Sequence, residues 1–156
     1  MAKRYTTYAI QCQVAPYRVA LEAWLASLNP DHFVTLTFAE PARDYRATRA
    51  VKVWFRELHK RYKPCAAVYV VEPHPSNPEA HHIHVLVKYH ALFIPRHKDI
   101  RALWRWGYST VYDCNGGAAR YVGKYIASKT APDWGILGDV ALLTRPSNDV
   151  IIRCRD

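Results

Sequence analysis

His82-Ile83-His84-Val85-Leu86-Val87 is the stretch on which the reading of this chain turns. Alternate residues of a β-strand share a face, so His82 and His84 project from one side while Ile83, Val85 and Val87 bury on the other. Two imidazoles then converge on one point, a geometry that suits a divalent metal held through ring nitrogens. The run His81, His82, His84 also fits a plain polar strand face, so the pair acquires meaning only from its surroundings.

Further along lies Tyr121-Val122-Gly123-Lys124-Tyr125-Ile126-Ala127-Ser128-Lys129, preceded by the helix-starting Asn115-Gly116-Gly117. Helical periodicity sets Tyr121 and Tyr125 one turn apart on one face with Lys124 on their flank, and Ala119, Val122 and Ile126 form the adjoining apolar stripe. A tyrosine oxygen can attack phosphorus covalently, and a metal with a nearby lysine would supply the activation it lacks. The alternative is two rings packed on the core with their hydroxyls at the surface. Upstream, Phe33-Val34-Thr35-Leu36-Thr37-Phe38 alternates as a strand, with Val34, Leu36 and Phe38 facing one way and Thr35 and Thr37 the other.

In this order, the strand, the paired histidines and Tyr121-x-x-Lys124-Tyr125 closely resemble the three motifs of the HUH endonucleases, specifically the replication-initiator (Rep) class. The resemblance covers roughly Phe33 to Lys129. It implies a nickase dependent on Mn2+ or Mg2+ that cuts single-stranded DNA at a replication origin, hairpin origins included. Such an enzyme stays attached through a 5′-phosphotyrosine bond and initiates rolling-circle replication. Tyr121 and Tyr125 carry over to the paired nucleophile positions. Tyr121 with Lys124 also matches the single-tyrosine pattern, which favours Tyr121 if one tyrosine works. Lys124 carries over as the active-site lysine, with Lys129 a further candidate. The family usually adds a third metal ligand on the strand paired with the histidine strand. Here the apolar stretch Cys65 to Glu72 ends at Glu72, before the turn-rich Pro73-His74-Pro75-Ser76-Asn77-Pro78. Antiparallel pairing across that loop would bring Glu72 to His82, so the expected ligands are His82, His84 and Glu72, with His81, Glu79 and His74 as substitutes.

Composition agrees with a polyphosphate partner: the formal net charge is +9, which favours nucleic acid and makes binding salt-sensitive. On a helix expected from about Pro41 to Tyr62, Val51, Trp54, Phe55, Leu58 and Tyr62 form an apolar stripe. Arg49, Lys52, Arg56, Lys60 and Lys63 gather opposite, as either a DNA-contacting or a solvated face. A second basic group, Arg96, His97, Lys98, Arg101 and Arg105, is interleaved with Trp104, Trp106 and Tyr108, rings that could stack on unpaired bases or belong to the core. The apolar runs are short and broken by charge, and Met1-Ala2-Lys3-Arg4 lacks the apolar core of a signal peptide, so a cytoplasmic location in a bacterium, or in the host cell of a virus or phage, is expected. Cys12, Cys65, Cys114 and Cys154 are scattered without a C-x-x-C pair and read as reduced, buried thiols.

The coarse order is a helix from about Ala15 to Leu28, the first strand, the basic helix, the Cys65–Glu72 and histidine strands, a short helix near Pro95–Trp106, a strand Ser109–Cys114 and the tyrosine helix. That order predicts one α+β domain over residues 1–156, an antiparallel sheet of about five strands with helices packed on it. Residues 131–156 read as a tail of unclear role, loop with a terminal strand Val150–Arg153. No Gly-x-x-x-x-Gly-Lys loop is present, so strand separation would need a host helicase or a further domain. Two other readings compete with the initiator: an HUH-type single-strand transposase, normally reliant on one tyrosine, and a non-catalytic module that binds single strands by stacking and charge.

Overall fold

A computed structural model describes residues 18–64, 66–90, 93–127 and 133–139. Five antiparallel strands form one sheet in the order β4-β1-β3-β2-β5. They are β1 (His32–Phe38), β2 (Ala66–His74), β3 (Asn77–Lys88), β4 (Gly107–Asp113) and β5 (Asp133–Gly138). The helices are α1 (18–27), α2 (Asp44–Tyr62), α3 (His97–Arg101) and α4 (Gly116–Ile126). No helix among the described residues is long and apolar enough to cross a membrane.

The period-2 alternation of β1 and β3 splits the core into two layers. Val34, Leu36, Ile83, Val85 and Val87 face α2, where they meet Val51, Trp54 and Leu58. Trp54 is fully buried, so truncating it to alanine would cost roughly 3–5 kcal/mol. The opposite face carries Val68, Val70 and Leu86 against α1 and α4, through Leu25, Ala119, Val122 and Ile126. The histidines therefore lie on the α4 side of the sheet, while α2 covers the other side.

Four boundaries differ from those expected. Helix α2 begins at Asp44 rather than Pro41, because the Ala42 carbonyl accepts the His81 backbone N–H at 2.9 Å and tethers this segment to β3. It ends where Lys63 takes a left-handed conformation before Pro64. Helix α3 stops at Arg101 instead of running to Trp106: Trp104 turns into the core, where its Nε1 donates to the Thr37 carbonyl at 3.0 Å. Trp104 is thus core and not a stacking surface. The turn-rich stretch Pro73–Pro78 is mostly strand, its turn confined to Pro75 and Ser76.

The largest correction concerns the segment after Thr130. Residues Asp133–Gly138 are the edge strand β5, paired with β2 from Val71↔Asp133 to Ala66↔Gly138. Gly135 suggested a loop, yet it is required within the strand, since a Cβ there would lie 2.9 Å from the Tyr69 ring. Thr48 donates to Asp133 Oδ2 at 2.6 Å and anchors the start of the strand to α2. The expected strand Val150–Arg153 lies outside the described residues, as do Lys129, Cys12, Cys65 and Cys154. Cys114 is half-buried, and burial first, then the Asp31 charge, pushes its thiol up to about 11.

Candidate functional site

The hairpin register sets Glu72 directly opposite His82, and β1 sets Thr35 opposite His84. Three central strands therefore deliver Thr35, Glu72, His82 and His84 to one spot on the α4 face. The Glu72 Oε2 lies 2.9 Å from His84 Nε2 and 3.3 Å from His82 Nε2. Glu72 is 6% exposed and His84 5%. On the far side of the His84 ring, Thr35 Oγ1 is 3.0 Å from Nδ1. When the Nδ1–H donates to Thr35, the Nε2 lone pair is left facing the carboxylate, the tautomer a metal ligand needs. The Phe33 ring stacks on His84 at 5.5 Å and 12°. Burial, followed by the charge of His82, pulls the His84 pKa down to about 4, outweighing the opposite pull of Glu72.

The donor atoms of Glu72, His82 and His84 all lie within 4.8 Å of one another. Two imidazole nitrogens and a carboxylate oxygen, one member deeply buried, fit a divalent cation. The substitutes are engaged elsewhere: the His81 ring lies 3.0 Å from the Ala42 carbonyl, His74 bonds Ser76 at 2.8 Å and Glu79 pairs with Arg43 at 3.5 Å.

Asn115 caps α4 by accepting from the Gly117 N–H at 3.0 Å, and Val122 and Ile126 seat the helix on the sheet. That seating carries Tyr121 and Tyr125 over the cluster. The Tyr121 hydroxyl is 3.5 Å from His84 Nε2, and the two tyrosine rings are 4.8 Å apart. Hydrogen bonding with Tyr121, then burial, then Glu72, pushes the Tyr125 phenol well above its usual value. Lys124 is exposed beside them, its Nζ 5.5 Å from the Tyr125 ring.

The basic residues stand apart from this site. Arg49, Lys52, Arg56 and Lys60 are exposed on α2, on the opposite face of the sheet, and Lys60 pairs with Glu57 at 2.9 Å. Arg96, Lys98 and Arg101 surround α3, whose Ile100 joins that same α2-side layer. What adjoins the tyrosines is aromatic: the register places Tyr108, Thr110 and Tyr112 beside Thr37, Thr35 and Phe33. Tyr108 is 76% exposed and Tyr112 59%. A groove of about 580 Å³ runs between this strand and α4, lined by Phe33, Tyr112, Asn115 and Tyr121 among others. Thr35 and Phe33 were legible as strand residues, but their contacts with His84 depend on a strand pairing that periodicity does not specify. Tyr112 carried only the signal of alternation with Tyr108.

An antiparallel sheet bearing a buried His/Glu cluster beneath a helix with paired tyrosines defines a protein equipped for phosphate-ester chemistry at a cation. Residues 31–130 match the model of a family described as replication-associated proteins of the ORF2 type. With more than half of the chain covered, it belongs to that family and is a replication-associated protein of the initiator type. Comparisons with curated proteins and with solved structures gave no match.

Proposed function

We propose that this protein is an HUH-type, metal-dependent nickase and strand transferase that starts rolling-circle replication on single-stranded DNA in the cytoplasm of a bacterium or of a host cell. The observation that carries the reading is the 3.5 Å approach of the Tyr121 hydroxyl to His84 Nε2, a donor of the Glu72–His82–His84 cluster. Glu72, His82 and His84 would hold Mn2+ or Mg2+, which when bound withdraws charge from the scissile phosphate.

The remaining work falls to the chain's own groups. The Tyr121 oxygen attacks the phosphorus as its proton leaves to water, forming a tyrosine–phosphate ester while the P–O3′ bond breaks. The departing 3′ oxygen takes up a proton and becomes a free hydroxyl, and the 5′ phosphate remains on the protein. Lys124 offsets the added charge on the phosphate oxygens. Thr35 keeps the His84 ring oriented. Tyr125, one turn away, serves the second transfer, in which a new strand is cut and the first is released. The groove beside Phe33 and Tyr112 is where the flanking bases stack. Membership of a replication-associated family favours an initiator over a transposase.

The decisive experiment incubates the protein with origin-derived single-stranded oligonucleotides and Mn2+ or Mg2+, then resolves the products under denaturing conditions. A metal-dependent covalent protein–DNA band is expected, abolished by chelator. Absence of any adduct across a broad oligonucleotide library, with folded and metal-supplied protein, would leave only the binding module.

A further inference from the structure

A second set of donors lies where β1 begins and β4 ends. His32 and Asp113 are direct partners across the β1–β4 ladder. His97, the first residue of α3, brings its ring to 5.1 Å from that of His32. The Asp113 Oδ1 is 3.1 Å from His97 Nε2 and 3.7 Å from His32 Nε2. All three donor atoms lie within 4.8 Å of one another. His32 is 2% exposed, whereas the side chains of His97 and Asp113 are 36% and 69% exposed, so the cluster is buried on one side and open on the other.

We propose that His32, His97 and Asp113 form a second divalent-cation site, of the zinc class, separate from the Glu72 cluster and not required by the nicking chemistry. The first argument is the donor set: two neutral imidazoles and one carboxylate suit Zn2+, with a fourth position left for water. The second is geometry. Zinc bonds of about 2.0–2.1 Å in a tetrahedral arrangement set neighbouring ligands roughly 3.4 Å apart. The two separations from the Asp113 oxygen, 3.1 and 3.7 Å, lie on either side of that value. The third is placement. The donors come from β1, β4 and α3, so a cation joins the sheet edge to a helix of only five residues, too short to hold its position by its own hydrogen bonds. The open side gives onto the groove that His97 and Asp113 share with Phe33 and Tyr121, so the ion can enter from solvent.

The test is zinc stoichiometry on the full chain after chelator stripping, by elemental analysis, with Co2+ absorption as a second readout. The unsubstituted protein should bind two equivalents, and the His82→Ala/His84→Ala variant should keep one. Adding His97→Ala and Asp113→Asn, both at partly exposed positions and with folding checked by circular dichroism, should remove the last equivalent. Co2+ in the variant lacking His82 and His84 should give a tetrahedral spectrum without thiolate charge transfer, which separates this site from the cysteines. The proposal is overturned if that variant holds no zinc, if the equivalent survives loss of His97 and Asp113, or if a thiolate band appears. Because stoichiometry is read and not cleavage, failure of the nickase reading would leave this result standing.

Discussion

The Tyr121 hydroxyl and the Nε2 of His84 lie 3.5 Å apart although 37 residues separate them in the chain. One belongs to a helix laid on the sheet, the other to a central strand. Their approach turns a metal-type cluster and a pair of phenols into one reaction centre, and four of the following expectations depend on it.

His82→Ala or His84→Ala should reduce oligonucleotide cleavage by about 100-fold or more, since a bound cation contributes several kcal/mol of charge stabilisation in the transition state. Single-strand affinity, resting on charge and stacking, should stay largely intact. Glu72→Gln keeps the shape and removes the charge, and should be as severe or milder. Cleavage assays beside anisotropy binding measure both; normal cutting by both histidine variants would make these residues structural.

Tyr121→Phe should cause the larger loss of single-turnover nicking, and Tyr125→Phe should impair mainly the second transfer. Phenylalanine retains the ring packing at 4.8 Å and removes only the nucleophilic oxygen, so the double substitution should form no adduct. If Tyr125→Phe alone eliminates the adduct and Tyr121→Phe is silent, the order is reversed.

Thr35→Val should leave the strand stable and lower metal affinity by about 10- to 100-fold, because the His84 ring loses the hydroxyl that orients it. Thr35→Ser should restore the affinity. Calorimetric Mn2+ titration distinguishes this positioning role from a packing role, in which valine would be silent.

Tyr108→Ala and Tyr112→Ala should each weaken binding of a short single strand by about 1–3 kcal/mol, the usual worth of stacking one base. Lys52→Ala and Arg56→Ala, on the opposite face of the sheet, should leave the affinity for the same short strand nearly unchanged. Fluorescence anisotropy at fixed salt is the measurement. The reverse pattern would move the DNA path to α2.

Gly135→Ala should destabilise the fold by about 1–3 kcal/mol, since the new Cβ would lie 2.9 Å from the rigid Tyr69 ring and must displace it or the strand. Thermal unfolding would register this as a fall in Tm. An unchanged Tm would mean that β5 yields easily at the sheet edge.

What the sequence determined by itself is what short-range backbone geometry dictates. A strand puts every second residue on one side, so His82, His84 and Thr35 were legible as members of polar strand faces, and Val34, Leu36, Ile83 and Val85 as core. A helix returns after one turn, so the Tyr121–Tyr125 pair beside the Val122–Ile126 stripe was legible too, and the order of motifs pointed to the α+β sheet and to Glu72. Tertiary structure alone decided which faces meet. The basic stripe of α2 was visible as a stripe, yet its apolar side packs on the sheet face away from the histidines, which sends Arg49, Lys52 and Arg56 away from the site. Asp133–Gly138 looked like loop because the reason for Gly135 is the Tyr69 ring on a strand far back in the chain. The same holds for His32, His97 and Asp113, which share no local period. Periodicity is a property of neighbouring residues, whereas pairing register and layer order are settled by the burial of distant apolar faces against one another.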